Sequence, residues 1–185
     1  MQKTQTTLPD VNELILLFNR LFKESENTIL VKGDDEPIYL PADNKSPYNR
    51  VIFAHGYFTS ALHEISHWCI AGKERRKRID FGYWYEPDGR TAEQQQSFEQ
   101  VEIKPQALEW MFSVAAGIRF NISADNLSGE ASPSAGIFKQ NVHKQSLVYL
   151  KGGVPENAQS FINALRAFYT NDQPLLERSF LLTNI

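Results

Sequence analysis

The feature that most constrains this chain is the run His63-Glu64-Ile65-Ser66-His67, which lies inside an otherwise apolar segment. Four residues advance an α-helix by slightly more than one turn, so the two histidines face the same side and can bind one metal ion. Glu64 is rotated about 100° from His63, where a carboxylate can hydrogen-bond a metal-bound water and move its proton. The run predicts a metal-binding helix with His63 and His67 as ligands and Glu64 as the catalytic residue.

Two histidines leave a metal site incomplete, and the usual completion is a carboxylate from a later helix. Within residues 99–109, Glu102, Gln106 and Glu109 fall on one helical stripe if the helix continues through Pro105. We favour Glu102 as the third ligand, with Glu109 as the alternative. Gln106 is expected to orient the carboxylate or a ligand histidine. Proline lacks a backbone donor, so we expect the helix to kink or restart there.

The periodicity of apolar residues predicts an α+β fold, dominated by helices, with a small β-sheet and a single domain over residues 1–185. A chain of this length can bury a substantial hydrophobic core. Asp10 with Glu13, and Thr91 with Gln94, form capping-box patterns that open two of the helices. Helices are expected at 11–22, from 59 or 60 to 72, at 106–116, 132–151 and 158–169. Short strands are expected at 29–31, 38–40, 51–54 and 79–85. The strands at 29–31 and 38–40 should form a hairpin or be two strands of one sheet.

Composition excludes several classes of protein. The net charge of −3 argues against a surface built to neutralise nucleic-acid phosphates, so we expect no nucleic-acid partner. We also expect no membrane association, because the apolar stretches are too short to span a bilayer, and residues 1–9 lack the apolar core of a signal peptide. Cys69 is the only cysteine, which excludes an intrachain disulfide and fits a reducing compartment. These features predict a cytoplasmic protein.

A basic run directly follows the proposed metal helix. Basic side chains at the C-terminal end of a helix interact favourably with its dipole. Five positive charges exceed what such an interaction needs, and the chain as a whole is acidic. We therefore expect the run to receive an acidic macromolecular partner by electrostatic steering. Its positive residues are Lys73, Arg75, Arg76, Lys77 and Arg78.

Four longer strings resemble the bacterial elongation factor P hydroxylase family. The resemblance covers most of residues 32–117 and the rest of the chain more loosely, and strings of this length are far more specific than the five-residue motif alone. The termini and the loop 123–134 depart from the family pattern. The strings are 32–41 (KGDDEPIYLP), 61–72 (ALHEISHWCIAG), 80–89 (DFGYWYEPDG) and 101–110 (VEIKPQALEW).

The resemblance implies a monooxygenase that hydroxylates the β-lysylated lysine of elongation factor P, a translation factor. It also implies a zincin-like metal-binding helix core, with His63 and His67 matching the metal histidines and Glu102 the carboxylate. The expected cofactor is a divalent metal, Fe(II), with dioxygen as cosubstrate, and no 2-oxoglutarate site is indicated. Elongation factor P would dock on the basic run.

The five-residue motif by itself favours a different reaction. Zinc held by two histidines and a carboxylate activates water for attack on a carbonyl, with Glu64 as the base, which predicts a zinc-dependent hydrolase or metalloprotease. In a hydroxylase, Glu64 would instead orient a water, relay a proton or contact the substrate amine. A third possibility is a non-catalytic module with a structural metal, although structural zinc normally has four protein ligands.

Overall fold

A computed structural model of the protein describes residues 9–34, 36–80, 89–123 and 135–185. The expected α+β class, dominated by helices with a small sheet, is confirmed. The single-domain organisation and the zincin-like core remain predictions. The main elements are α1 (Val11–Phe22), β1 (Thr28–Lys32), β2 (Ile38–Leu40), β3 (Asn49–Phe53), α2 (Phe58–Ile70), α3 (Ala92–Ala115), α4 (Ala135–Gly152) and α5 (Glu156–Tyr169).

The three strands form one sheet in which β3 is central. β1 pairs with β3 in parallel, and β2 pairs with β3 in an antiparallel direction. The first two strands are therefore two strands of one sheet, which is the second of the two expected arrangements, and β3 lies between them in place of a hairpin. A parallel pair needs a crossover connection, and the segment that contains β2 provides it. The sheet contributes the buried side chains of Leu30, Val51 and Phe53 to the hydrophobic core.

Residues 81–85 of the predicted fourth strand lie outside the described residues. Asp80, which precedes them, forms an antiparallel bridge to Tyr39 of β2, with backbone N–H to O distances of 2.8 and 3.0 Å. This bridge attaches the segment after α2 to the edge of the sheet. The start of the predicted helix at 132–134 is also outside the described residues, and α4 is observed from Ala135.

Two side-chain caps mark helix starts. Asp10 caps α1, and its carboxylate accepts from the backbone N–H of Asn12 at 2.9 Å, rather than from that of Glu13 as in the expected capping box. Thr91 and Gln94 form the full reciprocal capping box at the start of α3, as expected. Each cap satisfies a backbone donor that the first turn of a helix leaves without an intrahelical partner.

α3 runs without interruption through Pro105, so the prediction of a restart there is wrong. Proline removes one backbone hydrogen bond, which alone destabilises a helix. Here Pro105 is buried, and the residues after it, including Gln106 and Leu108, are almost fully buried. Packing of α3 against α2, α4 and α5 outweighs the lost hydrogen bond. The consequence is that both candidate carboxylates lie on one continuous helix.

An aromatic cluster fixes the orientation of α2. Trp68 makes ring contacts with Phe18 and Phe22 of α1, at centroid distances of 5.2 and 4.9 Å. Phe161 of α5 packs on the same two phenylalanines. Cys69 is also in this core, as expected, and burial raises the pKa of its thiol. With this face of α2 buried against α1 and α5, the histidines face α3.

Candidate metal centre

The two histidines of α2 lie next to each other and face α3. Their Nε2 atoms are 3.0 Å apart, as the spacing of four residues on a helix predicts. Two imidazole nitrogens this close repel through their lone pairs unless a proton or a cation lies between them. The carboxylate groups of α3 that lie near the two nitrogens bear on whether a proton or a metal cation is favoured between them.

Glu102 completes the group of potential ligands. Its Oε1 is 3.2 Å from Nε2 of His67, and its Oε2 is 3.5 Å from Nε2 of His63. One ligand atom from each of the three residues lies within 4.8 Å of the others. These separations suit donors that share one ion at about 2.1 Å from each. The group is the arrangement that the sequence predicted, brought together by the contact of α2 with α3.

The surroundings of Glu102 favour a bound cation. The side chain is buried, and its Oε2 has no hydrogen-bond partner among the described residues. Burial raises the pKa of this carboxyl, but the charge and hydrogen bond of His67 and the charge of His63 outweigh it and lower the pKa to about 2. Glu102 is therefore a carboxylate, and a buried carboxylate with an unsatisfied oxygen fits a metal ion.

Glu109, the alternative third ligand, contacts the other nitrogen of the His63 ring. Its Oε2 is 2.9 Å from Nδ1 of His63, on the side of the ring away from Glu102 and His67. A carboxylate behind a histidine fixes the tautomer in which Nδ1 carries the proton, which leaves Nε2 free to bind a metal. Burial raises the pKa of Glu109, and the hydrogen bond from His63 opposes that effect. The two acids thus lie on opposite sides of the His63 ring, Glu102 beside Nε2 and Glu109 at Nδ1.

α3 carries a longer stripe of buried polar residues than the sequence interpretation recognised. Its members are spaced alternately four and three residues apart, which keeps them on one face of the helix. This spacing is visible in the sequence, but it does not reveal burial. The stripe consists of Gln95, Glu99, Glu102, Gln106, Glu109 and Ser113, each at most 8% exposed.

The two glutamines Gln95 and Gln106 of the stripe contact residues outside α2 and α3. The amide of Gln106 donates to the carbonyl of Ser123 at 2.7 Å and accepts from its N–H at 3.1 Å. It also stabilises the ionised form of Glu102 by a hydrogen bond, in agreement with the expected orienting role. At the other end, the buried guanidinium of Arg90 donates to Gln95 at 2.8 Å. Sequence reasoning missed this second contact.

Glu64 is half-buried and lines a cleft together with Trp68 of the same helix. About 30 Å³ of the cleft is open to the centre of a water-sized group. His67 also lines it, so the cleft reaches the candidate metal centre. Burial raises the pKa of Glu64, and the charges of His63 and His67 oppose that shift.

The basic run after α2 divides into two groups. Arg76 donates to the backbone carbonyl of Trp68 at 2.7 and 3.1 Å and lies over its ring at 4.3 Å, so it caps the C-terminal end of α2. Arg75 forms a two-bond ion pair with Asp80. Lys73, Lys77 and Arg78 are exposed. Docking of a partner on the basic run remains a prediction.

Comparisons with known proteins identify the family. A family profile described as elongation factor P hydroxylase matches residues 17–180. The chain belongs to this family. It is also 52% identical over 175 residues to a protein of Haemophilus influenzae named elongation factor P lysine hydroxylase, which covers 95% of this chain and 98% of the relative. The resemblance stated from the sequence is confirmed.

Membership of the elongation factor P hydroxylase family makes the chain an enzyme that catalyses hydroxylation, an oxidoreductase. This outcome favours the hydroxylase over the hydrolase that the five-residue motif suggested. Among the described residues, no helix combines the length and the apolar character needed to cross a membrane.

Proposed function

We propose that this protein is a metal-dependent monooxygenase that hydroxylates the β-lysylated lysine of elongation factor P. The observation that carries the metal dependence is the group formed by His63, His67 and Glu102. Elongation factor P as the substrate is supported by the family and by the name of the Haemophilus relative. Since that substrate is a translation factor, we propose the cytoplasm as the location.

We propose Fe(II) as the metal and dioxygen as the cosubstrate. Two histidines and one carboxylate are the ligand set of many non-haem iron oxygenases, and such a metal supplies open positions for dioxygen. One oxygen atom enters a C–H bond of the substrate as a hydroxyl group, and the other leaves as water. The balance requires two electrons and two protons from an external reductant.

The residues of the chain contribute binding and orientation. His63, His67 and Glu102 would hold the ion, and Glu109 would keep the ring of His63 in the metal-binding tautomer. Gln106 fixes Glu102 against the backbone of Ser123. A closed structural zinc site is disfavoured, because the described residues group three ligands and such sites use four.

The decisive experiment follows the mass of β-lysylated elongation factor P during aerobic incubation with the iron-loaded protein and a reductant. We expect a gain of one oxygen atom on the modified lysine. The His63→Ala protein, which lacks one proposed ligand, should give no gain. Peptide cleavage by the zinc-loaded protein, with no oxygen gain under iron, would overturn the proposal and support the hydrolase.

We propose that elongation factor P approaches the exposed cations of the basic run. Lys73, Lys77 and Arg78 are exposed, and the ion pair of Lys77 with Glu74 at 2.6 Å lies at the surface, unlike the contacts of Arg75 and Arg76. Charge reversal at the three exposed positions should weaken binding of elongation factor P by about tenfold at low salt, because long-range attraction is replaced by repulsion. Calorimetric titration at low and high salt checks this, and the difference should shrink at high salt.

A matched variant controls for net charge. Lys144, Lys151 and Arg178 are also exposed and provide the same change of two lysines and one arginine at other positions of the surface. Their reversal should leave the affinity within about twofold of wild type if steering depends on the location of the charge. Equal loss in both triple variants would show that only the net charge matters and would remove the basic run from the docking proposal.

A further inference from the structure

The cleft beside the candidate metal centre is formed on one side by a continuous stripe of α2. Its residues recur at spacings of three, four and seven, which places them on one helical face. His67 belongs both to this stripe and to the group that faces α3. The cleft therefore opens directly beside a proposed metal ligand. The stripe consists of Glu64, His67, Trp68 and Ala71.

The opposite wall of the cleft is apolar and held in place. Ile38 and Val51 line it from the sheet, together with the ring of Tyr39. The hydroxyl of Tyr39 donates to the backbone carbonyl of Arg76 at 2.9 Å, and its backbone is bridged to Asp80. These bonds tie the sheet edge to the segment after α2. This wall of the cleft is thus apolar and fixed in position, and Arg75, Arg76 and Asp80 line the cleft beside it.

The charged side chains of the cleft form ion pairs with residues of opposite charge, with one exception. Arg75 neutralises Asp80, and Arg76 is paired with Glu26 at 3.2 Å. Glu64 makes no ion pair with a lysine or arginine of the described residues. Glu64 therefore differs from Asp80, the other acid of the cleft, which is paired with Arg75.

We propose that Glu64 is a specificity-determining residue that binds an ammonium group of the β-lysyl chain inside this cleft. A long aliphatic amine has a hydrocarbon stem and a cationic end. The cleft offers an apolar wall and, in Glu64, an acid that has no lysine or arginine partner among the described residues, while Asp80 is paired with Arg75. The inference rests on the proposed function and names the part of the substrate that the enzyme reads. It assigns Glu64 to recognition rather than to the proton transfer that the motif performs in hydrolases.

Binding distinguishes these two roles, because a proton-transfer residue acts on the reaction and not on affinity. The probes are elongation factor P with the β-lysyl group, a diaminohexanoyl chain, and the same protein with a hexanoyl group on that lysine. The second probe keeps the carbon chain and the amide but lacks both amines. The iron-loaded protein under nitrogen should bind the cationic form about 10- to 100-fold more tightly.

In Glu64→Gln this preference should fall to about twofold or less, with the iron content unchanged. Glu74→Gln, which removes an exposed acid outside the cleft, should keep the full preference. A Glu64→Gln protein that still prefers the cationic form as strongly as wild type, and only turns over more slowly, would overturn the inference. If the wild type hydroxylates neither form, the proposed function itself fails, and that result is separate from the binding result.

Discussion

The Glu102→Gln protein is expected to lose its metal. Glutamine has nearly the same shape but no negative charge, and its NH₂ group would face the imidazole nitrogens. Glu102 lies 3.2 and 3.5 Å from Nε2 of His67 and His63, so the change affects the atom proposed to hold the ion. We expect an affinity loss larger than the roughly 10- to 100-fold that removal of a supporting hydrogen bond causes. Anaerobic titration with Fe²⁺ and metal content after dialysis measure it.

Glu99→Gln is the matched control for this change. Glu99 is 3% exposed, like Glu102, and lies three residues earlier on the same buried stripe. Its Oε1 faces the amide of Gln95 rather than the histidine pair. Both variants remove one buried charge from α3, so only the loss of a ligand separates them. Retention of wild-type affinity in Glu102→Gln would exclude Glu102 from the site.

Glu109→Ala is expected to weaken metal binding about 10- to 100-fold without abolishing it. The carboxylate accepts from Nδ1 of His63 at 2.9 Å, and its removal leaves that buried N–H without a partner and the ring free to change tautomer. Glu109→Gln keeps an acceptor oxygen at the same place and should recover part of the affinity. The same Fe²⁺ titration checks both variants.

The order of effects separates the two acids. If Glu102 is the ligand and Glu109 the support, Glu102→Gln should be worse than Glu109→Ala, and Glu109→Gln should lie nearest to wild type. The reverse order would assign the ligand role to Glu109, the alternative that the sequence left open. Spectra of Co²⁺-substituted protein provide a second readout, because loss of a ligand changes the coordination while loss of a supporting bond mainly changes affinity.

Interactions between residues close in the sequence determined several helix boundaries and the spacing of the candidate site residues. The pairing of His63 with His67 follows from helical spacing alone, and so does the shared stripe of Glu102, Gln106 and Glu109. Helix α1 and the capping box of α3 are also found where the sequence predicts them. Each of these features depends on residues a few positions apart, and such interactions can be read from the sequence.

Only the tertiary structure decided the rest. The sequence could not show that β3 lies between β1 and β2, that packing carries α3 through Pro105, or that Arg75 and Arg76 have partners within the chain. It favoured Glu102 over Glu109 as the third ligand but could not place either acid relative to the His63 ring, because both carboxylates lie on the same face of one helix. That placement depends on how α2 and α3 pack together, since the packing sets which side of the ring each carboxylate meets.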